Sequence, residues 1–348
     1  MTVKTKNYWI DTNLSFEYEL ASRPSKSLDR FTKPWQNLLC LLPGFENAAP
    51  IFSSPECGPN DEIVVWGVLE RHRVLFPSRF PDSSSVFDAN SKLWSFNNRE
   101  EGLSHSAILS TDMTEEELRK EIKRTPKWII KDPFGVAGRE RFNGTSTSDI
   151  ESIKQWMQKR LRAGKGKFLL ETYVDIELEF STHYEIQKDG AITYQGVCAI
   201  LCDANGSFRG NFRLREEHAS LAKEAKENHQ PLLEKLRDLG YFGPLSFDSF
   251  LGEDHHRRCF QTVSEINARY TFGRMFLELQ KALNHEDLLW WHPSPGVFKK
   301  CANATLNATP IPFPIPSLNQ TNTLLLSTTD DAFKDMATIL SPSKSGPT

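Results

Sequence analysis

Two short, otherwise apolar stretches in the C-terminal third carry side-chain oxygens at regular spacing: Asp248 within residues 245–251, and Glu265 with Asn267 within residues 260–267. Burying a carboxylate is costly unless something pairs with it. A hard divalent cation is a suitable partner, because it takes oxygen ligands and commonly arrives with substrate phosphates. Asp248 and Glu265 stand 17 positions apart across the polar turn 252–258, a spacing that suits a hairpin with both carboxylates on one face. Glu265 and Asn267 are two apart and share a face of one strand. The competing reading is a surface hairpin bearing unrelated acids, with His255 and His256 solvated at its tip.

Three further groups could do chemistry. Lys131 closes an apolar strand and precedes a loop containing Gly135, Val136, Ala137 and Gly138, followed by Arg139 and Arg141. Glycines let backbone N–H groups approach phosphate oxygens and a lysine adds a point charge, although such a loop also serves as a plain turn. Residues 169–171 form an apolar strand ending in Glu171. The connector after it could present backbone groups to a purine edge, and Glu177 or Glu179 could accept from ribose hydroxyls; an exposed strand with alternating acids is the bland alternative. Arg213, Arg215, Arg269 and Arg274 carry guanidinium forks that match phosphate or carboxylate, or serve only solubility.

The elements needed to position these groups are legible around them. Residues 61–67 form a short β-branched run ending in Gly67, as a buried parallel strand does. Thr114 and Glu117 form a capping box ahead of Leu118 and Ile122. Lys127 to Lys131 read as a strand. Ile150, Ile153, Trp156, Met157 and Leu161 give a helical face closed by Gly164, and 168–171 a further buried strand. Turns are expected at Asp189-Gly190 and at Asn205-Gly206. Residues 216–238 read as a helix broken at Pro231 and closed by Gly240. Beyond residue 301 the composition shifts to Pro, Thr, Ser and Asn. Residues 302–328 are expected to be extended along the surface, 330–340 to form a short helix, and the last eight to be disordered.

The formal net charge of −3 over 348 residues argues against a general nucleic-acid or anionic-membrane binder. No apolar run nears the ~18 residues of a membrane span. The first nine residues show no apolar core of a secretory leader, and six scattered cysteines read as reduced core thiols, so a cytoplasmic protein is expected. Cys198 and Cys202 fit half-buried strand positions better than a metal site.

In order, these pieces resemble the ATP-grasp superfamily of ADP-forming ligases. The resemblance covers roughly residues 88–285 and is carried by Lys92 after Asn90-Ser91, Lys131 with its Gly135–Gly138 loop, Glu171, Glu179, Asp248, and the Glu265-Ile266-Asn267 triplet followed by 269–274. It implies an α/β fold with α+β subdomains: a small N-terminal α/β domain (1–88), an ATP-grasp domain (89–300, split into a lid-bearing 89–170 and a metal- and substrate-binding 171–300), and an extension (301–348). It further implies ATP held by Lys92, Lys131, Gly135, Val136, Ala137, Gly138, Glu171, Thr172, Val174 and Glu179, with Glu177 competing for the ribose. Mg²⁺, or Mn²⁺ in its place, would sit on Asp248, Glu265 and Asn267. Arg213, Arg215 and Arg274 would serve catalysis, and Arg269 with Arg274 the acceptor substrate. The implied reaction joins a small-molecule carboxylate to an amine through an acyl phosphate with ADP release. A small-molecule kinase or a non-catalytic nucleotide binder is the alternative, and homodimers are common in the family. The sequence departs from the pattern in a loop with fewer small residues and in showing no clear lysine on the strands between Glu179 and Asp248, where Arg213 or Arg215 would substitute.

Overall fold

In the computed structural model the described residues are 8–11, 13, 16–20, 49–50, 62–76, 78–135, 140–161, 166–203, 206–255, 257–284, 288–291, 308–311 and 324–328. They build three sheets. The first is small and parallel: β1 (Tyr8–Asp11) lies between β2 (Ala49–Pro50) and β3 (Glu62–Val65). The strand expected at 61–67 is thus β3. Its exit runs through Trp66 into Gly67, where an added Cβ would collide with the ring of buried Phe16.

The second sheet has four antiparallel strands: β4 (Ser106–Ser110), β5 (Lys127–Lys131), β6 (Arg141–Thr145) and β7 (Lys167–Thr172), in the order β4-β7-β5-β6. Two helices cover it. Glu115–Ile122 starts at the expected capping box, with the Glu117 N–H donating to Thr114 Oγ1 at 3.3 Å and the Thr114 N–H to Glu117 Oε2 at 2.8 Å. Ile150–Gln158 is capped by Asp149 and turns Ile150, Ile153 and Met157 inward. These side chains enclose Trp128, Ile130, Phe168 and Leu170 in one core. Because β7 and β5 alternate, the core lies on one face and Lys131 and Glu171 emerge elsewhere.

The third sheet has eight antiparallel strands, including β8 (Asp175–Ile186), β9 (Ile192–Cys202), β10 (Phe208–Arg213), β11 (Gly243–Asp254), β12 (Arg257–Asn267) and β13 (Leu288–Trp291). Its order is β12-β11-β8-β9-β10-β13, then β15 (Leu324–Thr328) and β14 (Ala308–Ile311) at the edge. Gly190 and Gly206 take positive φ at +88° and +67° in the β8–β9 and β9–β10 connections, as the turn residues require. Phe180 packs on Ala222 and Ala225 of helix Ala219–Asp238. Alternation places Glu179 and Ser181 on the opposite face. Helix Phe272–Leu283 adds Met275, Phe276 and Leu279 to the largest core, where Trp66, just after β3, also sits.

Two expectations change here. The helix expected to break at Pro231 continues through it, because buried Leu232, Leu233 and Leu236 anchor the following turns to the sheet. The lost backbone donor is outweighed by that packing. Residues 308–311 and 324–328 are paired strands, not only a surface-hugging segment. Pro310 lies in β14, an edge strand, where a missing N–H is tolerated. The expected helix at 330–340, the last eight residues, Val136–Gly138, Gly164, Asn205 and His256 lie outside the described residues. Among the described residues no helix is long and apolar enough to cross a membrane.

Leu170 is fully buried at the centre of the second sheet's core. Leu170→Ala should therefore cost about 3 kcal/mol of unfolding free energy. Chemical denaturation monitored by tryptophan fluorescence checks this, and a loss under about 1 kcal/mol would mean the site collapses around the smaller side chain.

Candidate functional site

Between the second and third sheets lies a cleft of about 1310 Å³. Ile129, Phe142, Val174, Leu178, Ile200 and Leu201 supply apolar wall, and Lys92, Lys131, Glu171, Glu179 and Glu265 converge on it. A large concave site with few aimed polar groups fits small-molecule binding.

Asp248 and Glu265 are direct cross-strand partners, so the antiparallel register of β11 and β12 brings the two carboxylates together as the spacing predicted. A register shift between Asp248 and Phe250 marks a bulge beside them, a common device next to functional groups. Asn267 Nδ2 donates to Asp248 Oδ2 at 2.8 Å, and Arg269 Nη2 donates to Asn267 Oδ1 at 2.9 Å. The arginine thereby fixes the amide with its nitrogen toward Asp248. Burial, then the nearby carboxylates of Glu265 and Glu179, push the Asp248 carboxyl well above the ordinary range. Such mutual repulsion among oxygens is what a bound cation relieves. The Asp248 and Glu265 carboxylates fit a hard divalent ion, and Asn267 would join them only with its amide oxygen turned from Arg269 toward Asp248; among the described residues no three Asp, Glu, His or Cys side chains form a metal site by themselves.

Both lysines expected at the cleft are there. Lys92 is buried at the start of helix Lys92–Asn98, and its Nζ donates to Glu265 Oε1 at 2.8 Å and to the Gly135 carbonyl at 2.9 Å. It links the loop after β5 to the carboxylate strand. Lys131 Nζ lies 2.6 Å from Glu171 Oε2, and the other oxygen of Glu171 accepts from Arg99 Nη2 at 2.5 Å. Burial would raise the Glu171 carboxyl, but Lys131 and Arg99 outweigh it and hold it at about 2. Glu171 is thus an ionised carboxylate gripped by two cations. Thr172 Oγ1 and its N–H both bond the His105 carbonyl, so this backbone amide serves the sheet.

Glu179 is raised by burial and receives a hydrogen bond from Cys202 Sγ at 3.3 Å. Glu177, its competitor, is half exposed and pairs with Arg258 at 3.4 Å. Cys198 sits buried against Ser181, His183 and Asn211, and burial pushes its thiol up to about 12. Both thiols are therefore protonated, in keeping with their reading as strand residues.

The arginines divide. Arg269 joins the carboxylate cluster and packs 5.9 Å from the centre of the Trp66 ring. Arg213 and Arg215 pair locally with Glu216 and Glu217, each at 3.7 Å, and do not line the cleft. Arg274 is held by Glu278 at 2.6 Å and Glu185 at 3.2 Å, also off the cleft lining. Sequence reading missed Arg99 altogether. It heads an exposed-looking charge run with Glu100 and Glu101, and no spacing signals that its side chain is wholly buried.

Neither a protein-family model nor a curated protein sequence matches the chain. Solved structures do. A Staphylococcus aureus N5-carboxyaminoimidazole synthetase complexed with ADP superposes with TM-score 0.60 at 10% identity, covering 98% of both chains. An Aspergillus clavatus N5-carboxyaminoimidazole synthase in complex with ADP and 5-aminoimidazole ribonucleotide gives 0.54 at 11% identity, over 97% of this chain and 98% of that one. A Campylobacter jejuni biotin carboxylase–β,γ-ATP complex gives 0.53 at 10%, over 95% and 90%. The chain shares the fold of these structures, a mixed α/β ATP-grasp fold in which helices pack on a small parallel sheet and two antiparallel ones.

The Glu171 cluster makes a pH prediction. A carboxyl lowered from 4.5 to about 2 contributes stability that is fully present above pH 4.5 and is lost as pH falls toward 2. Glu171→Gln should lower unfolding free energy at pH 7 by on the order of 3 kcal/mol, and the deficit against the parent protein should shrink at pH 3. Denaturant titrations at both pH values check it; an equal deficit at each would rule out charge as its origin.

Proposed function

We propose that this chain is an ATP- and Mg²⁺-dependent ligase that joins a carboxylate to an amine through an acyl phosphate and releases ADP. One observation carries the reading: Lys92, Lys131 and Glu265 meet at a single cleft between the two sheets, and Asp248 and Asn267 adjoin Glu265 from outside the cleft's lining residues. The structurally similar proteins crystallised with ADP or an ATP analogue support it. The substrate partners are left at the level of chemical class, a small carboxylate and a small amine.

Each residue then has a physical task. Asp248, Glu265 and Asn267 would hold the divalent ion, which when bound offsets phosphate charge. Lys131 would contribute a fixed positive charge at the end of β5, and Lys92 a second one from its helix start. Glu179 would accept from ribose hydroxyls, with the apolar wall of Ile129, Val174 and Leu178 against the base. Gly135 would belong to a lid over residues 133–141, carried by the 89–170 subdomain, that excludes water, which otherwise hydrolyses a reactive intermediate. Arg269 would orient Asn267 and offer charge on the acceptor side. The ion pairs of Arg213, Arg215 and Arg274 put them in the second rank of catalytic candidates, dependent on rearrangement when substrates enter.

Incubation with ATP, Mg²⁺ and a pool of carboxylates and amines should release ADP and inorganic phosphate. Release of AMP and pyrophosphate would exclude this class. A stable phosphorylated product formed without amine would indicate a kinase, and nucleotide binding with no turnover a non-catalytic binder. Glu265→Gln should reduce turnover at least ~100-fold while the circular dichroism spectrum stays that of the folded protein, with a lower melt because buried Lys92 loses its ion-pair partner; wild-type turnover in that variant would remove the metal assignment.

A further inference from the structure

We infer that Arg99 is a positioning residue of the cleft: it balances Glu171 so that Lys131 keeps a net positive charge facing the ligand, and it clamps the backbone leading to Glu265. The inference rests on the nucleotide reading above and deepens it.

The geometry is unusual for an arginine beside two acids in sequence. Arg99 caps the C-terminal end of helix Lys92–Asn98, and its side chain has no exposure. Its Nη1 donates to the carbonyls of Val263 at 3.0 Å and Ser264 at 3.4 Å, immediately before Glu265 on β12. Its Nη2 donates to Glu171 Oε1 at 2.5 Å on β7. One guanidinium therefore ties the helix that begins with Lys92, the strand that bears Glu265 and, through Glu171, the ammonium of Lys131. A planar fork with five donors suits this task, and a lysine does not.

Charge counting gives the functional consequence. Glu171 is 2% exposed and carries one negative charge between two positive ones. Without Arg99, Glu171 and Lys131 would neutralise each other and the cleft would lose one unit of attraction for an anion. Glu101 does little to spoil the balance. It lies 3.4 Å from Arg99, is about one-third exposed, and its other oxygen accepts from the Leu103 N–H. Solvent screens it. Glu179 and Glu265 also line the cleft and are acidic, so an incoming phosphate group depends on the positive charges of Lys131 and Lys92 to offset them.

A charge-rescue series separates this role from simple stapling. Lys131 acylation by acetic anhydride at pH 8, read by peptide mass spectrometry, needs no nucleotide. Arg99→Met should slow it about fivefold or more, because Glu171 then pairs fully with the ammonium. Arg99→Met/Glu171→Gln removes the opposed charges together and should restore the rate to within about twofold. Titration of ADP with Mg²⁺ by calorimetry should show about tenfold weaker binding for Arg99→Met, the size of one charge-assisted contact, with most of it recovered in the double variant. An unchanged acylation rate in folded Arg99→Met, or a double variant as impaired as the single one, overturns the proposal. Should Arg99→Met not fold, Glu171→Gln is compared with the double variant: Arg99 beside an unpaired Lys131 should make the single variant acylate faster, and equal rates overturn the proposal. If the parent protein binds no ADP, the nucleotide reading fails while the acylation series still decides the part played by Arg99.

Discussion

The register between β11 and β12 is the constraint on which the candidate site depends. Side chains alternate along a strand, so a slip of one residue would send Asp248 to one face and its partners to the other. The hairpin is held in phase by its two sides. On one, β11 pairs along nearly its full length with β8, which aligns Asp248 with Ser181 and Ser246 with His183. On the other, Phe247, Val263 and Ile266 are buried in the main core and fix which face turns inward. The hydrophobic effect thus sets the phase, and the phase assembles the carboxylates. Their mutual repulsion is tolerated because the packing around them is not theirs to break.

Electrostatics then organises what register has gathered. The cleft holds its cations in pairs with its own anions: Lys92 on Glu265, Lys131 on Glu171. Neither ammonium faces the low-dielectric space uncompensated, and neither is fully spent. Lys92 also holds the Gly135 carbonyl, which couples the loop after β5 to β12 across the cleft. Preorganised charges of this sort need little reorganisation when a ligand's phosphates replace internal partners.

Local chemistry with short range was legible in the sequence. The capping box at Thr114, the strand from Lys127 to Lys131, the glycine turns at Gly190 and Gly206, and the Asp248–Glu265 pairing all follow from propensities and periods that act within about twenty residues. Pro231 was misread because the rule that proline breaks helices is local, whereas the burial of Leu232, Leu233 and Leu236 that overrides it is tertiary. The pairing of β15 with β13, and of β14 with β15, was equally invisible, since a Pro- and Thr-rich composition does not say which sheet edge stands nearby. The arginines show the limit most clearly. Neither Arg274, set among apolar residues, nor Arg99, beside Glu100 and Glu101, shows its partners in sequence, and only the fold separates them: one is absorbed by Glu185 and Glu278, the other is buried under the cleft.

That separation also explains why Arg99 matters beyond its own bonds. A buried guanidinium needs acceptors for its donors, and here the two terminal nitrogens find two backbone carbonyls of β12, the Glu171 carboxylate of β7 and Glu101, while Nε has no hydrogen-bond partner among the described residues. Those strands belong to different sheets. Any motion that separates the sheets far enough to admit a ligand must keep the Arg99 bonds or break several at once in a place water does not reach. Separating the two sheets at Arg99 therefore breaks all of these bonds together, and Glu171 with Lys131 keeps its place relative to Glu265 as long as Arg99 stays bound. On the other side of the cleft the contact is lighter, with the Arg141 guanidinium lying against Gly206.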